Sequence, residues 1–414
     1  MSDMTDLDGF AGDRWPGVFD APLSRLRASI ARRIMRSAAN RLAVRVHVAD
    51  GEVMGGGGPD SPVLVIHRPD AFFSRLGTDA KIGFGESYMA GEWAPAPGTD
   101  LADLLTPFAA NMADLVPRPL QRLRRLAEQR QPPDEENTVE QARRNIGRHY
   151  DLSNDMFATF LDETMTYSSA LFADGDDLAG AQRRKIGAVL DLAGVRAGTE
   201  LLEIGTGWGQ LAIQAAQRGA RVTTLTLSSE QQGLAADRVR EAGVADRVDI
   251  RLLDYRLVQG SFDAIVSVEM IEAVGVKYWP QYFATMDRLL RPGGTVGLQA
   301  ITISHERLLA TMQAYSWIHK YVFPGGIIPS VRAIEDTCHA GTSLRVSRLD
   351  TFGSDYARTL RIWRQNFLAN WPRVESERFD GIFRRMWEFY LAYCEAGFAS
   401  SYLDVAQIQL TRGS

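Results

Sequence analysis

The feature that most constrains the fold is the stretch LLEIGTGWGQ, residues 201–210. An apolar run ends in an acid, Glu203, and glycine then stands at every second position, at Gly205, Gly207 and Gly209. An apolar strand that ends in a glycine-rich turn and opens a helix is typical of α/β sheets, which bind ligands at the carboxyl ends of their strands. The stretch therefore predicts a site in which bare backbone approaches a bound molecule closely.

The spacing of this loop distinguishes between two adenine-containing ligands. A dinucleotide fingerprint requires G-x-G-x-x-G, but its third glycine position is Gln210 here. An NAD site also places an acid about 20 residues further on, where this chain has Leu225, Thr226 and Leu227. Little basic charge lies near the loop to neutralise a pyrophosphate. The loop therefore favours S-adenosylmethionine (SAM), with Asp254 at the end of a later strand as an acceptor for the adenine amino group.

The pattern on both sides of the loop predicts the fold class. Strand-like and helical stretches alternate after residue 180, which indicates a doubly wound α/β fold with a parallel sheet covered on both faces. The predicted strands are 199–204, 221–227, 247–252, 262–267 and 295–301, and the predicted helices are 181–193, one that starts after Gly209, 229–242 and 278–290.

Three segments divide the chain. Residues 1–131 are expected to form a smaller N-terminal α+β domain. Residues 132–145 are expected to be a linker, because the stretch EQRQPPDEEN contains paired prolines and acids. Residues 146–414 are predicted to be the SAM-binding domain. Its helical insertion at about 303–340 is rich in aromatic residues.

Charge and cysteine content exclude several classes of protein. The formal net charge of −5 does not indicate a nucleic-acid binder. The segment 21–46 has seven arginines and no acid, and a second arginine group spans 118–130. Such groups are solvated helix faces or contacts to an anionic membrane. Two cysteines predict no disulfide framework, and no metal site or membrane span is predicted. We expect a cytoplasmic protein that associates peripherally with the inner face of the cell membrane.

Several motifs together resemble those of one known family. GFGESYMAGEW at 83–93 resembles the N-terminal domain of bacterial phospholipid enzymes, and HYDLSNDMFATFLDETMTYSSALF at 149–172 resembles the segment before their SAM fold. LLEIGTGWG, LTLSSEQ, FPGGIIPS and SDYARTLRIW follow in the family's order. Over nearly its whole length the chain thus resembles the cyclopropane-fatty-acid synthases and related lipid methyltransferases. The resemblance implies a class I SAM-methyltransferase (Rossmann-like) fold and methyl transfer from SAM to a cis double bond in a phospholipid acyl chain. It further implies that the domain 1–131 contacts lipid or membrane and that the domain 146–414 contains an acyl-chain pocket.

The SAM contacts are expected from the loop and from the resemblance together. The residues concerned are Tyr167, Ser168, Glu203, Gly205, Gly207, Gly209, Leu227, Gln231, Asp254, Tyr255 and Arg256. Without the resemblance, Tyr167 would be read as a packing residue and Gln231 as part of a surface helix.

The chemistry that the resemblance implies needs a small set of groups. Attack of an alkene on a sulfonium methyl group leaves a carbocation, which aromatic faces and carboxylates stabilise and a base must deprotonate. By resemblance Glu272, in VEMIEAVG, is the active-site carboxylate, with Glu269 as a competitor three residues earlier. Tyr356 matches a tyrosine that hydrogen-bonds the base or faces the cation. Cys394 matches a cysteine near the acyl pocket, which we interpret as pocket lining.

The chain departs from the family at the base site. The cyclopropane enzymes hold a bicarbonate ion, their presumed base, with a cysteine, the glutamate, a histidine and the tyrosine. Here the cysteine position is Ser169 and the histidine position is Gln299. Serine can donate to an anion, but glutamine cannot carry a charge or shuttle a proton as histidine does. Bicarbonate binding and the final deprotonation are therefore both in question.

The altered base site bears on the product. Proton loss from the bridging methyl group closes a cyclopropane ring, whereas a hydride shift followed by loss of a methyl proton gives an exocyclic methylene. An actinobacterial branch of the family makes 10-methylene acyl chains, which a separate flavin-dependent reductase converts in the tuberculostearic acid pathway. We favour the 10-methylene product from an oleoyl-type chain, with cyclopropane formation as the alternative.

Further partners and two rival functions remain open at this point. The family resemblance implies a homodimer. Four aromatic residues of the insertion are expected to cap a lipid tunnel or to pack on the sheet: Tyr315, Trp317, Tyr321 and Phe323. One rival function is a SAM-dependent methyltransferase for a soluble small molecule. The other is a non-enzymatic lipid-binding protein, which predicts a broken glycine loop.

Overall fold

The computed structural model of the chain describes residues 15, 17–19, 24–112, 138 and 153–413. Two compact units are present. The first comprises residues up to 130 with 314–322 and 375–400, and the second comprises 131–313, 323–374 and 401–414. The sequence-based division was continuous, whereas the first unit includes two later segments. The predicted linker, apart from residue 138, and the second arginine group lie outside the described residues.

The helices of the described part are short to medium in length. In chain order they are α1 (Arg25–Ala39), α2 (Pro69–Thr78), α3 (Ala80–Met89), α4 (Leu101–Ala110), α5 (Asn154–Ala158), α6 (Leu178–Leu192), α7 (Gln210–Gln217), α8 (Ser229–Glu241), α9 (Trp279–Leu289), α10 (His305–Thr311), α11 (Trp317–Tyr321), α12 (Val331–Gly341), α13 (Gly353–Asn370) and α14 (Gly381–Ala399).

The strands form two sheets. In chain order they are β1 (Arg45–Val48), β2 (Val53–Met54), β3 (Val63–Ile66), β4 (Trp93–Pro95), β5 (Glu200–Ile204), β6 (Arg221–Thr226), β7 (Val248–Leu252), β8 (Phe262–Val268), β9 (Leu290–Ile303), β10 (Leu344–Thr351) and β11 (Leu403–Arg412). The small sheet has the order β2-β1-β3-β4 and the large sheet β10-β11-β9-β8-β5-β6-β7.

The large sheet is mixed rather than wholly parallel. The five predicted strands, β5 to β9, are parallel to one another, as the alternation of strands and helices indicated. The sheet continues beyond these predicted strands with antiparallel pairing, because β11 pairs antiparallel with β9 and β10 pairs antiparallel with β11. Neither of these two strands was predicted. They extend the sheet beside β9, the strand that carries Gln299.

The core of the second unit explains why the sequence forms these layers. Leu201, Leu202 and Ile204 of β5 are all buried, as expected for a central strand with helices on both faces. The α9 helix buries Tyr282, Phe283, Met286 and Leu289, and Trp279 lies on the same face. This spacing is that of an amphipathic helix against a sheet. The core thereby fixes the carboxyl ends of β5 and β8 next to each other.

The motif GFGESYMAGEW packs the core of the first unit. The ring of Phe84 stacks on Trp93 with 4.7 Å between centroids, and Trp317 meets Phe389 edge-on at 4.8 Å. A Cβ atom on Gly85 would lie 2.5 Å from the Trp317 ring, so only glycine permits this approach. Trp317, one of the four aromatic residues expected to be lid or packing, is thus a packing residue within the first unit. Tyr321 of the same helix donates its hydroxyl hydrogen to Glu86 over 2.8 Å.

Candidate active site

The glycine loop lies where β5 ends and α7 begins. Gly205, Gly207 and Gly209 have φ values of +102°, +52° and +90°, a region that L side chains rarely adopt. A Cβ atom on Gly205 would lie 2.7 Å from Met270 Cγ, whereas one on Gly207 would meet no atom within 4 Å. The backbone at Gly207 therefore borders open space at the ligand edge of the sheet, as a SAM loop requires.

Glu203 supports the loop from within the core. Its side chain is buried, and Thr224 donates its hydroxyl hydrogen to Glu203 Oε2 over 2.6 Å. The Thr224 hydroxyl also lies 2.7 Å from that of Thr206, within the loop. Burial raises the pKa of Glu203 to about 8, against the opposing effects of Thr224 and of Lys185. These contacts give Glu203 a role in fixing the strand-to-loop junction, and its contact with SAM stays a prediction.

Tyr167 and Ser168 lie on the segment that precedes α6. The Tyr167 ring packs against Trp363 at 5.3 Å and against Phe157 at 5.2 Å between centroids. Ser168 is buried, and its Oγ accepts a hydrogen bond of 2.5 Å from Lys185 Nζ. This segment therefore brings an aromatic face and a buried ammonium group to the same region of the second unit.

The remaining candidate SAM residues follow β6 and β7. Gln231 is buried, so it does not belong to a surface helix face, and its Oε1 accepts from the Thr226 hydroxyl over 2.8 Å. Asp254 is also buried, and both of its oxygens accept from the Arg256 guanidinium, over 2.8 and 2.7 Å. That guanidinium lies over the Tyr255 ring, 5.5 Å from its centroid. Asp254 therefore orients Arg256, in addition to any contact with adenine.

Leu227 directly follows the last residue of β6 and is partly exposed, between Thr226 and the first turn of α8. Its neighbour Ser228 caps that helix by accepting from the backbone N–H of Gln231. The apolar side chain of Leu227 is suited to contact with an uncharged part of a ligand, and this role too stays a prediction.

Three of the predicted catalytic positions meet on Glu269. Its Oε1 accepts from the backbone N–H of Ser169 over 2.9 Å and from Gln299 Nε2 over 2.8 Å. Its Oε2 accepts from the Tyr356 hydroxyl over 2.7 Å. The backbone of Glu269 has a φ of +51° directly after β8, a conformation that is uncommon outside glycine and clusters at functional sites. The family resemblance favoured Glu272 over this residue as the active-site carboxylate.

Glu272 is the second carboxylate at this edge and is bound differently. The backbone N–H of Ile301 donates to its Oε1, whereas its Oε2 is buried and has no hydrogen-bond partner. Burial and the charge of Glu269 raise the pKa of Glu272 to about 8. A carboxylate with one unpartnered buried oxygen is poised to take up a proton.

Lys185 is a buried cation that sequence analysis missed. It lies on the buried face of α6 with Ile186 and Val189. Burial lowers the pKa of Lys185 to about 8, and the charges of Glu269, Asp162 and Glu203 oppose that shift. Burial also raises the pKa of Glu269, opposed first by Lys185. A lysine among the apolar positions of a helix was the signal in the sequence, because buried lysines are rare unless they are paired.

Helix α13 holds the Tyr356 side chain in place. The backbone N–H of Phe172 donates to Asp355 over 2.9 Å, and that of Ala170 donates to the Thr359 hydroxyl over 3.2 Å. These two bonds fasten the segment that contains Ser169 to the first turns of α13. The Tyr356 ring also meets Trp363 edge-on at 6.2 Å. Tyr356 can therefore reach Glu269 without being free to swing away.

Two predicted site residues have other surroundings than the sequence suggested. The Ser169 hydroxyl donates to the Ala170 carbonyl oxygen over 2.9 Å, so its contribution to Glu269 is the backbone N–H. Cys394 lies on α14, in the first unit. Burial raises the pKa of its thiol to about 12, which argues against nucleophilic chemistry, and its role in lining a pocket stays a prediction.

Two further features concern metals and membranes in the described residues. Among the residues that the structure describes, no cluster of three or more His, Cys, Asp or Glu side chains could hold a metal ion. In the same described part of the chain, none of the helices has the length and apolar character needed to cross a bilayer.

The fold and the glycine loop define a class I SAM-dependent methyltransferase, and SAM is its methyl donor. Residues 137–408 match the family described as mycolic acid cyclopropane synthetase, and the chain belongs to that family. It is 51% identical over 411 residues to the tuberculostearic acid methyltransferase UfaA1 of Mycobacterium tuberculosis, covering 97% of this chain and 96% of the relative.

Two further comparisons support the same family. The chain is 34% identical over 381 residues to the cyclopropane-fatty-acyl-phospholipid synthase of Escherichia coli, covering 91% of this chain and 93% of the relative. Among solved structures, the mycolic acid cyclopropane synthase CmaA1 in complex with SAH and CTAB is 29% identical, with a TM-score of 0.58. It covers 65% of this chain and 97% of that one. The α/β fold and the family predicted from the sequence are thus confirmed.

Proposed function

We propose that this enzyme transfers the methyl group of SAM to the cis double bond of an oleoyl-type, phospholipid-bound acyl chain and releases a 10-methylene acyl chain. The relative with 51% identity over nearly the whole chain is named a tuberculostearic acid methyltransferase, which supports this product class. The observation that carries the proposal is the pair of carboxylates, Glu269 and Glu272, that follows β8 beside the glycine loop. Such a pair can face a carbocation and take up its proton.

The atoms of the reaction balance without a further reactant. Bound SAM supplies a sulfonium methyl group, and the alkene attacks its carbon. The carbon–sulfur bond breaks, a carbon–carbon bond forms, and the acyl chain carries a positive charge. A hydride shift moves that charge to the methyl-bearing carbon. Loss of a proton from the new methyl group then gives the exocyclic methylene.

The residues of the second unit supply what these steps need. We assign the proton acceptor to Glu272, because its Oε2 is buried without a partner. The rings of Tyr167 and Tyr356 both pack against Trp363, and these rings offer aromatic faces to a cation. We assign SAM to the glycine loop, with Tyr167, Ser168, Leu227, Gln231, Asp254, Tyr255 and Arg256 around it. A dry site would protect the cation from water.

The first unit carries a surface suited to an anionic membrane. Arg25, Arg27 and Arg33 of α1 are exposed, and Leu26 and Ile30 beside them are 73% and 51% exposed. A helix with basic residues next to exposed apolar ones is typical of segments that lie at a lipid surface. We propose that α1 brings the enzyme to the inner face of the cell membrane. A homodimer and a separate flavin-dependent reductase that acts on the product complete the proposal.

Expression in cells with oleoyl phospholipids tests the proposed product. Mass spectrometry of fatty-acid methyl esters distinguishes a methylene from a cyclopropane ring after derivatisation of the double bond, although both add the same mass. We expect the methylene product from the wild-type enzyme and none from Glu272→Gln. A ring would support the cyclopropane alternative. An unchanged lipid profile, together with methylation of a soluble compound, would contradict the lipid substrate.

A further inference from the structure

The residues that the family resemblance assigns to bicarbonate do not fit that ion here. The Ser169 backbone N–H, the Gln299 side-chain amide and the Tyr356 hydroxyl all donate to Glu269, over 2.9, 2.8 and 2.7 Å. A bicarbonate ion at this place would have to displace the Glu269 carboxylate from every one of these donors. It would also add a further negative charge next to the two glutamates, Glu269 and Glu272. The donor set is therefore already used by a group of the chain itself.

We propose that the Glu269 carboxylate is a built-in anion that replaces a bound bicarbonate, so that this enzyme runs its reaction without an exogenous anion. The inference rests on the proposed function, because it concerns the same site. Glu269 is a positioning residue in this scheme: it holds the negative charge beside the developing cation and acts on the proton acceptor Glu272.

The hydrogen bonds around Glu269 favour its ionised form and oppose the rise in its pKa that burial causes. Three donors on one carboxylate stabilise its ionised form, because bonds to a charged acceptor are stronger than neutral ones. The donors come from three separate elements: the segment before α6, β9 and α13. Because α13 and the Ser169 segment are fastened to each other, the donors from these two elements keep their positions relative to each other.

The donor from β9 has a fixed orientation. Gln299 Oε1 accepts a hydrogen bond of 3.0 Å from Gln407 Nε2 on β11, and this leaves the Gln299 Nε2 group directed to Glu269. Gln407 Nε2 also donates to the Lys185 backbone carbonyl over 3.0 Å. A histidine at position 299 would exchange protons, whereas the Nε2 group of this amide only donates. The neutral donor thus favours the ionised form of Glu269 and does not share a proton with it.

The buried positive charge of Lys185 balances two buried acids, Glu269 and Glu203. Lys185 interacts favourably with Glu269 and Glu203, which makes burial of the anion tolerable. The groups that face Glu269 are therefore the Lys185 ammonium, the Tyr356 hydroxyl, the Gln299 amide, the Ser169 N–H and the Glu272 carboxyl. The charge of Glu269 in turn raises the pKa of Glu272, which helps the Glu272 carboxyl to take up a proton.

Chemical rescue tests the built-in anion. Glu269→Ala removes the carboxylate and leaves the three donors facing an empty space. We expect product formation by the wild-type enzyme, in buffer freed of carbon dioxide, to stay unchanged on addition of bicarbonate. The Glu269→Ala variant should lose about 100-fold in rate, and formate or bicarbonate should restore about 10-fold, because small anions can accept the same hydrogen bonds. Glu335→Ala, an exposed change on α12, is the matched control.

The pH profile of a second variant covers the case in which Glu269→Ala does not fold. Glu269→Gln keeps the volume but removes the charge. We expect the acid limb of its rate profile to move to lower pH by about one unit, because the repulsion that disfavours ionised Glu272 is gone. Calorimetric titration with SAM checks that the glycine loop of each variant still binds SAM.

Several outcomes would overturn the built-in anion. The first is stimulation of the wild-type enzyme by bicarbonate. The second is a folded Glu269→Ala variant that keeps full activity or that small anions do not rescue. The third is a Glu269→Gln variant whose pH–rate profile does not move. Failure of the proposed function is distinguishable from these, since the wild-type enzyme would then form no lipid product under any condition.

Discussion

The Gln299 amide joins two strands to the carboxylate of the site. Its Nε2 donates to Glu269 Oε1 over 2.8 Å, and its Oε1 accepts from Gln407 Nε2 over 3.0 Å. Gln299 and Gln407 are also opposite each other in the β9–β11 pairing. The antiparallel strand β11, which was not predicted, therefore determines which end of the amide faces the glutamate.

We predict that Gln299→Met slows product formation by about 10- to 100-fold. The substitution keeps the length of the side chain but removes a hydrogen bond to a charged group, which contributes about 1.5–3 kcal/mol. Gln407→Met leaves the Gln299 donor in place and removes its orientation together with the hydrogen bond to the Lys185 carbonyl, so a loss below about 10-fold is expected. Single-turnover rates at saturating SAM measure both effects. Equal losses in the two variants would argue against a direct role for Gln299.

We predict that the rate rises with pH and levels off above about pH 8. The proposed proton acceptor Glu272 must be ionised, and burial together with the charge of Glu269 raises its pKa to about 8. The measurement is kcat/KM for vesicle-bound substrate between about pH 6 and 9, because this ratio reports groups of the free enzyme. In Glu272→Gln the product should be lost while SAM affinity by calorimetry is retained. An active Glu272→Gln enzyme would refute the assignment.

The same pKa shift has a consequence for stability. The pKa of Glu272 is raised from 4.5 to about 8 in the folded protein, so between these values the folded state binds a proton that the unfolded state has released. The contribution of this group to stability is thus complete below about pH 4.5 and is lost as pH rises through about 8. We expect the Tm of Glu272→Gln, relative to wild type, to increase between about pH 5 and 9. A difference that is independent of pH would show that Glu272 does not titrate in this interval.

Much of the fold could be predicted from the sequence because its central strands are apolar and short. The parallel strands β5 to β9 were all expected within a few residues of their bounds, apart from β9, which begins five residues earlier at Leu290. The strand β11 was missed although Val405, Ile408 and Leu410 are buried. It follows a long helical region, and no strand–helix alternation marks it.

Most residues of the site were predicted from the sequence, but the hydrogen bonds among them were not. Glu269 and Glu272 are three residues apart, and a helical turn would have placed both on one face. The φ of +51° at Glu269 instead turns its side chain to Gln299 and Tyr356. A backbone conformation of this kind depends on the surrounding structure and has no signature in the residue types. Lys185, in contrast, left a visible signal on the buried face of α6.

We predict that alanine destabilises the fold more at Gly205 than at Gly207, whereas it weakens SAM binding at both positions. In Gly205→Ala the new Cβ atom would lie 2.7 Å from Met270 Cγ at a φ of +102°, so SAM affinity should fall by about 10-fold or more and the Tm should decrease. In Gly207→Ala the Cβ atom has open space at a φ of +52°, and the fold should lose only about 1 kcal/mol. If Gly207 borders bound SAM, its alanine variant should nevertheless bind SAM more weakly. Calorimetry and thermal unfolding separate the two effects.

The surface of α1 gives a prediction about membranes that does not depend on the chemistry of the site. Arg32 and Arg36 are held in ion pairs with Glu52, so only part of the arginine-rich segment can serve a lipid surface. The variant Arg25→Gln, Arg27→Gln, Arg33→Gln removes three exposed charges of that helix. At about 1 kcal/mol for each basic residue near an anionic surface, we expect its partition onto phosphatidylglycerol vesicles to fall by about 100-fold.

A matched triple variant on the second unit tests whether α1 itself is responsible for membrane binding. Arg221, Arg240 and Arg348 are also exposed, at 74%, 70% and 64% of their side-chain surface, and their change to glutamine alters the net charge equally. Co-sedimentation with vesicles at low and high salt should weaken for the α1 variant and stay near wild type for the matched one. Equal loss in both would mean that net charge, and not the α1 surface, governs binding. Unaltered binding in both would leave the exposed Leu26 and Ile30 as the contact, which Leu26→Ala with Ile30→Ala would then abolish.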